Sequence, residues 1–214
     1  MSGQFLKINN NILELLPQKA IYWHNAKTLI VSDVHLGKAS HFRKHGLPIP
    51  MESGIDDLQQ LDALLYSYGP ERLLILGDLF HSEYNQEWEY FGALRKKYSK
   101  IRFTLVRGNH DILREHHYEK HDIKVETEPV YENGFVFAHN FVTLKENEFS
   151  ISGHIHPGFV LYGKGRQSIT LPCFYKNKNT LIMPAFGRLT GLAHMPYHRD
   201  AEIFVLTEEA VHRI

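Results

Sequence analysis

The chain has 214 residues, 43% of them hydrophobic, with 24 Lys plus Arg balanced by 24 Asp plus Glu. That length supports a sizeable core and one domain, residues 1–214, while the formal charge of zero excludes a globally basic polyanion footprint. The single cysteine, Cys173 in "TLPCFY", excludes an internal disulfide framework and reads as a packed small hydrophobe in a reducing compartment.

In chain order, the N-terminal "MSGQFLKINNNILELLPQKA" lacks the charged-then-apolar order of a signal peptide, and no apolar run reaches membrane-spanning length. A cytoplasmic protein without a membrane partner is the expectation. "KTLIVSD" predicts a strand over Thr28 to Ser32. "SGIDDLQQLDALLYSYGP" predicts a helix capped by Ser53, with Ile55, Leu58, Leu61, Leu65 and Tyr68 on one face and Gly69-Pro70 as its stop. "RLLILGD" predicts a strand over Leu73 to Leu76, apolar at each position and therefore covered on both faces. A second helix follows from Gln86 to Tyr98 with Trp88, Phe91, Leu94 and Tyr98 on one side, and "IRFTLVRGNHD" begins as a strand. Strand and helix alternate to this point, which argues for a parallel sheet with crossover helices.

Beyond it the pattern becomes mostly antiparallel β. Asn133-Gly134 in "VYENGFVFAHN" is a hairpin signal, "EFSISGHIHPG" is a further strand, "RQSITLPCFYKNKNTLIMPAFG" reads as two strands around a polar turn, and "AEIFVLTEEAVHRI" as a closing hairpin. No linker separates the halves.

The unusual count is 15 histidines. His116, His117 and His121 in "REHHYEKH" read as solvated surface residues. Others sit where apolar strands stop. "LIVSDVH" ends in Asp33 and His35, "LLILGD" in Asp78, "LVRGNHD" in Asn109, His110 and Asp111, "VFAHN" in His139, and "SISGHIH" in His154 and His156. In open α/β sheets the carboxyl ends of strands converge on ligand sites. Clustered carboxylates would repel and be costly to desolvate, and a pair of divalent cations removes that cost. Mixed oxygen and imidazole donors suit transition metals, Mn first here, with Fe, Zn or Co as alternatives. Gly77, Gly108 and Gly153 each precede a candidate ligand, where the backbone must turn sharply.

The ordered motifs Asp33-Val34-His35, Gly77-Asp78, Gly108-Asn109-His110-Asp111, His139 and Gly153-His154-Ile155-His156 resemble those of the calcineurin-like metallophosphoesterases. "SDVHLGKASHFRKHGLPIP" and "LPCF…LIMPAFGRLTG" extend the similarity to the ligase-associated DNA damage response endonuclease branch. The resemblance implies an α/β fold, a four-layer αββα sandwich in which two mostly β layers are flanked by helices. It implies one metal on Asp33, His35 and His156, another on Asn109, His139 and His154, and Asp78 bridging both. Because the fourth motif rests on one His, nearby His81 is a second candidate for that place.

The resemblance further implies phosphodiester hydrolysis by attack of a metal-bridged hydroxide. His110 would be the general acid, and Asp111 would orient it. The loop after the first motif, with Lys38, His41 and Arg43, is the candidate grip on flanking phosphates, and Phe42 either stacks on a base or anchors in the core. The substrate implied is DNA, single-stranded or gapped, in a repair system with ligase or helicase partners. The alternatives are a phosphodiesterase or pyrophosphatase for small nucleotides or nucleotide-lipids, and a non-catalytic scaffold, which would be expected to lose the acid or several ligands.

Overall fold

The computed structural model describes residues 2–44, 46, 52–81 and 86–214, with the side chains at 41, 44, 52–54 and 86 outside that description. A seven-stranded sheet is built in chain order from β1 (Gln4–Ile8), β2 (Asn11–Leu16), β3 (Ala20–Trp23), β4 (Thr28–Val31), β5 (Arg72–Leu76), β6 (Arg102–Val106) and β7 (Ile123–Glu126). The first four strands pair antiparallel through short turns, and β4 through β7 pair parallel. The parallel half is where helices intervene, because a crossover is needed to bring the chain back to the same starting edge. Those helices are α1 (Lys38–Lys44) and α2 (Glu52–Tyr68) before β5, α3 (Gln86–Lys97) before β6, and α4 (Glu115–Glu119) before β7.

The second sheet holds β8 (Val130–Glu132), β9 (Phe135–Ala138), β10 (Phe149–Ser152), β11 (Pro157–Tyr162), β12 (Ser168–Asn177), β13 (Thr180–Ile182), β14 (Ala193–His194), β15 (Ala201–Leu206) and β16 (Val211–Arg213). The hairpin at Asn133-Gly134 forms as expected, Gly134 taking a positive φ of 80°. So do the β12–β13 and β15–β16 hairpins. The heart of this sheet departs from the antiparallel expectation, because β10 pairs parallel with both β9 and β13. All three strands are only three or four residues long, and neither the apolar run of β9 nor the Phe-Ser-Ile-Ser alternation of β10 carries a mark of direction.

Three apolar clusters hold the layers. Leu58, Leu61, Leu64 and Leu65 of α2 and Trp88, Phe91 and Leu94 of α3 pack on Leu73, Ile75, Phe103 and Leu105 of the first sheet. Leu74, Leu76 and Val106, on the opposite pleats of the same strands, meet Phe137, Ile151, Phe174 and Phe204 between the sheets. The alternation of neighbours in β5 between two cores is the strand period of two, and it explains why β5 reads as unbroken apolar sequence. The outer face of the second sheet is buried by strand and loop side chains around Cys173, Tyr175, Ile203 and Val205. Cys173 is fully buried and its thiol is pushed up to about 12 by burial, as expected of a packed hydrophobe.

Several local expectations shift. Helix α2 begins at Glu52, which puts Ser53 inside the helix rather than at its cap. It ends where expected, with Gly69 at a φ of 52° and its amide returning to the Leu65 carbonyl at 3.1 Å. The segment expected as a loop after the first motif is helix α1, anchored by Glu87 of α3, which accepts from the Gly37 amide and the Ser40 hydroxyl. His121 is not solvated: it is 7% exposed and its ring stacks on Trp88 at 5.2 Å.

Candidate metal centre

Because β4, β5 and β6 are parallel, their carboxyl ends share one pole, and the parallel pair β9–β10 brings two more ends to a common place in the second sheet. Residues just past these ends form the site. Asp33 and His35 follow β4, Asp78 follows β5, Asn109 follows β6, His139 follows β9, and His154 and His156 follow β10. The two sheets are stitched together here by the His154 amide, which donates to Asp33 Oδ2 at 2.9 Å, while within the second sheet the Gly153 amide extends the β9–β10 pairing by donating to the His139 carbonyl.

The side chains sort into two groups. Asp33, His35 and His156 offer ligand atoms within 4.8 Å of one another, and so do Asp78, His139 and His154. Asp78 Oδ2 lies 3.7 Å from His35 Nε2 in the first group and 3.5 Å from His139 Nε2 in its own, so one oxygen faces both. Asn109 Oδ1 is 2.9 Å from His139 Nε2, and His154 Nδ1 is 3.1 Å from the same nitrogen. His156 Nε2 approaches Asp33 Oδ1 to 3.2 Å.

These donors fit divalent cations. Asp33 Oδ1 and both ring nitrogens of His35 are buried without a hydrogen-bond partner, an arrangement that is costly unless a cation satisfies it. Burial depresses the His35 imidazole to about 3, which keeps it in the neutral form a ligand needs. Burial alone would raise Asp33, yet the His156 ring and the Ser32 hydroxyl hold it below the usual carboxylate range. The His139 ring is oriented from behind, with Nδ1 2.9 Å from the Leu76 carbonyl, so Nδ1–H donates there and Nε2 keeps a lone pair that, with the Asp78 and Asn109 oxygens, could serve a shared cation.

Backbone conformation bears the same stamp. Asp33, His35, Asp78, His154 and His156 have φ of 53°, 51°, 52°, 69° and 53°, in the left-handed region that non-glycine residues rarely occupy. Each such residue costs about 1–3 kcal/mol and persists only where its surroundings hold it. The expectation that the preceding glycines make the sharp turns holds for Gly77 alone, at a φ of 78°. Gly108 and Gly153 are required by crowding instead: a Cβ would lie 2.3 Å from Asp78 Oδ1 at Gly108 and 1.7 Å from Ser32 Oγ at Gly153.

His110 and Asp111 part company. The His110 amide donates to Asp78 Oδ1 at 2.8 Å, and its ring, half-buried, sits 5.3 Å from that of His35. Asp111 was expected to orient this imidazole, but its carboxylate is turned inward and accepts from the amides of Asp78, Leu79, Phe80 and Gly108. Burial pushes the Asp111 carboxyl up to about 7 against the pull of those amides. Its task is to clamp the loop that carries Asp78. The ring beside His110 belongs to His81, stacked at 4.8 Å and 29°. His81 therefore neighbours His110, while His139 falls in the second donor group, the place for which both were candidates.

The candidate phosphate grip is only partly in view. Lys38, half-buried at the start of α1, has its ammonium disfavoured by burial while the charges of Asp78 and Asp33 favour it, so it lies within electrostatic reach of both groups. Arg43 points back to Ser40, its Nη2 donating at 2.9 Å, and the His41 side chain lies outside the described residues. Phe42 is half-buried. Sequence reasoning did not single out Ser32, whose hydroxyl meets Asp33 Oδ2 and is 3.0 Å from the Leu76 carbonyl, or Glu87 beneath α1. A serine that steadies a neighbouring carboxylate, or a glutamate that holds a helix start, by hydrogen bonds leaves no periodic or motif signal.

The family model for calcineurin-like phosphoesterases matches residues 26–200. The chain belongs to that family. This calcineurin-like phosphoesterase is similar over 100% of both chains to the crystal structure of the nuclease MPE from Pseudomonas putida, at 29% identity and a TM-score of 0.84. The phosphoesterase Yfce from E. coli covers 87% of this chain and 97% of its own at 14% identity and a TM-score of 0.47. No curated protein matches the sequence. The mixed α/β, two-sheet architecture is that of the family, and the chain is a hydrolase of phosphoester bonds with two candidate His/Asp metal sites. Among the described residues no helix is long and apolar enough to cross a membrane.

Proposed function

We propose that this phosphoesterase is a binuclear metal-dependent phosphodiesterase acting as a DNA endonuclease, with manganese as its working metal and a place in ligation-linked repair beside ligase or helicase partners. The observation that carries the reading is Asp78 Oδ2, at 3.7 Å and 3.5 Å from histidines of two separate donor groups. Full-length similarity to a nuclease supports a nucleic acid over a small nucleotide as substrate.

In this reading Asp33, His35 and His156 would hold one ion and Asn109, His139 and His154 the other, with Asp78 placed to serve either. Two divalent cations supply Lewis-acid polarisation of the phosphate and make the attacking water more acidic. His110 hands a proton to the departing alkoxide. The hydrogen bond its backbone amide donates to Asp78 Oδ1 and its stack on His81 fix where the ring sits, while half-exposure leaves it open to a substrate oxygen. Asp111 contributes through the loop it clamps, and Lys38 is placed to attract the anionic substrate.

The test is a metal-screened panel of circular single-stranded DNA, duplex DNA and a chromogenic phosphodiester, with His110→Ala beside the parent. The variant is expected to keep its metals and fold and to lose about 100- to 10,000-fold in turnover where the leaving group is poor. Near-normal cleavage of such a substrate by the variant would remove His110 from the chemistry. Brisk turnover of small diesters by the parent without nicking of any DNA would overturn the endonuclease reading.

A further inference from the structure

The neutral charge of the whole chain conceals one uneven stretch. From Phe149 to Arg199, 51 residues, there is no Asp or Glu, although the chain has 24 of them in 214 residues. The same stretch carries Lys164, Arg166, Lys176, Lys178, Arg188 and Arg199. It begins with β10, includes His154 and His156, and continues without a break into the hairpin of β11 and β12.

That hairpin departs from the rim of the metal centre. Pro157, its first residue, directly follows His156, and the segment around β14 is tied to the base of the hairpin and to β12 just beyond it. The Ala193 amide donates to the His156 carbonyl at 2.9 Å, the Met195 amide to the Gly158 carbonyl at 2.8 Å, and the Tyr175 hydroxyl to the Pro196 carbonyl at 3.1 Å. A Cβ at Gly158 would come within 2.8 Å of Leu192 Cβ, so the two segments are in close contact. Six residues of strand carry β11 about 20 Å from the metal rim to the tip.

The exposed side chains of this arm are of two kinds. Tyr162, Ile169 and Tyr197 are 84%, 56% and 67% exposed, well beyond what packing needs. The second kind is cationic or imidazole: Lys164 and Arg166 at the hairpin tip, and His194, His198 and Arg199 in the segment from β14 onward, all exposed. Lys164, Arg166 and Arg199 have no acidic partner among the described residues, in contrast to Lys176, which pairs with Glu202, and Arg188, which pairs with Asp56. Cations without counter-charges attract a polyanion, and exposed rings in the same segments offer faces on which unpaired bases stack. A duplex hides its base faces, so this combination selects single strands.

We propose that the β11–β12 hairpin, with the segment running from β14 to Arg199, is the track on which single-stranded nucleic acid lies as it enters the metal centre. The proposal rests on the phosphodiesterase reading above and names the element that gives it a polymeric substrate. It moves the main phosphate grip away from α1, where Arg43 is engaged with Ser40.

Binding of a fluorescein-labelled oligothymidylate, followed by anisotropy across a salt series, tests it. The full chain would be compared with the double variant Lys164→Glu/Arg166→Glu, with Tyr162→Ala, and with Lys7→Glu/Lys100→Glu, which makes the same change in net charge far from the hairpin. The tip double variant is expected to bind about tenfold or more weakly and to lose about two counterions from its salt slope. Tyr162→Ala is expected to bind at least about fivefold more weakly with the slope unchanged. The remote double variant keeps the parent affinity to within about twofold, in line with the short reach of screened charge.

Parent affinity and slope in both hairpin variants would overturn the proposal and leave the exposed tip to a protein partner. An equal loss in the remote variant would overturn it too, assigning the effect to net charge. Cleavage of the chromogenic diester by the parent is scored separately. Its absence would count against the phosphodiesterase reading, while the binding comparison would still decide the track.

Discussion

Asp78 does two things with one carboxylate: Oδ1 accepts the His110 amide at 2.8 Å, while Oδ2 faces histidines of both donor groups. The division works only because the loop bearing it is clamped by Asp111 and pressed on by Gly108. At this scale a missing Cβ is as necessary as a ligand. Gly153→Ala would drive a methyl into Ser32 Oγ and Asp33 Oδ2, 1.7 Å and 2.4 Å from the new carbon. The expected outcome is a loss of about 1–3 kcal/mol in stability and at least about tenfold in metal affinity. Urea denaturation and metal titration would check it, and parent-like values in both would mean that the backbone relaxes freely at Gly153.

The residues that hold the site were legible because each stands at the end of an apolar run, and seven of them recur in a fixed order. The residues that position those ligands were not. Asp111 was misread because the sequence places it beside His110, whereas the chain reverses there and sends its carboxylate back to the β5 loop. Sequence adjacency says little about side-chain direction in a tight turn. His81 shows the converse, a residue distant in sequence from His110 that stacks on its ring.

Among the elements, β4, β5, β6, α2 and α3 were readable from periodicity, since each has one clear apolar pattern and a recognisable stop. Helix α1 was not, because "KASHFRK" has no apolar stripe and is held by Glu87 rather than by a hydrophobic face. Nor was the direction of β10 and β13, which depends on partners rather than on composition. The burial of β12 supports a prediction of its own. Cys173 has no exposed surface and its thiol is pushed up to about 12, so the folded protein is expected to resist iodoacetamide and to be labelled once urea unfolds it. Rapid labelling without denaturant would show that β12 opens from the second sheet.

Across the whole molecule, zero formal charge describes a sum and not a surface, as the acid-free stretch from Phe149 to Arg199 illustrates. Stability is likewise set by particular buried groups. Burial raises Asp57 to about 6, although the Arg188 amide, Lys19 and the Arg188 guanidinium all pull it down. A carboxyl raised on folding binds its proton more tightly in the native state. Its contribution is therefore complete below the unfolded value near 4 and is lost as the pH climbs through about 6. In metal-free protein, Asp57→Asn is expected to remove a decline of about 3 kcal/mol between those limits. Unfolding free energies on both sides of the window would check this, and identical pH slopes in parent and variant would reject it.

The proposed two-ion cup is open to direct test by anomalous diffraction from crystals soaked in manganese. Two peaks about 3.5–4 Å apart, one beside Asp33, His35 and His156 and the other beside Asn109, His139 and His154, with Asp78 between them, are the predicted result. A single peak, or peaks bound to other residues while these seven stay bare, would contradict the account.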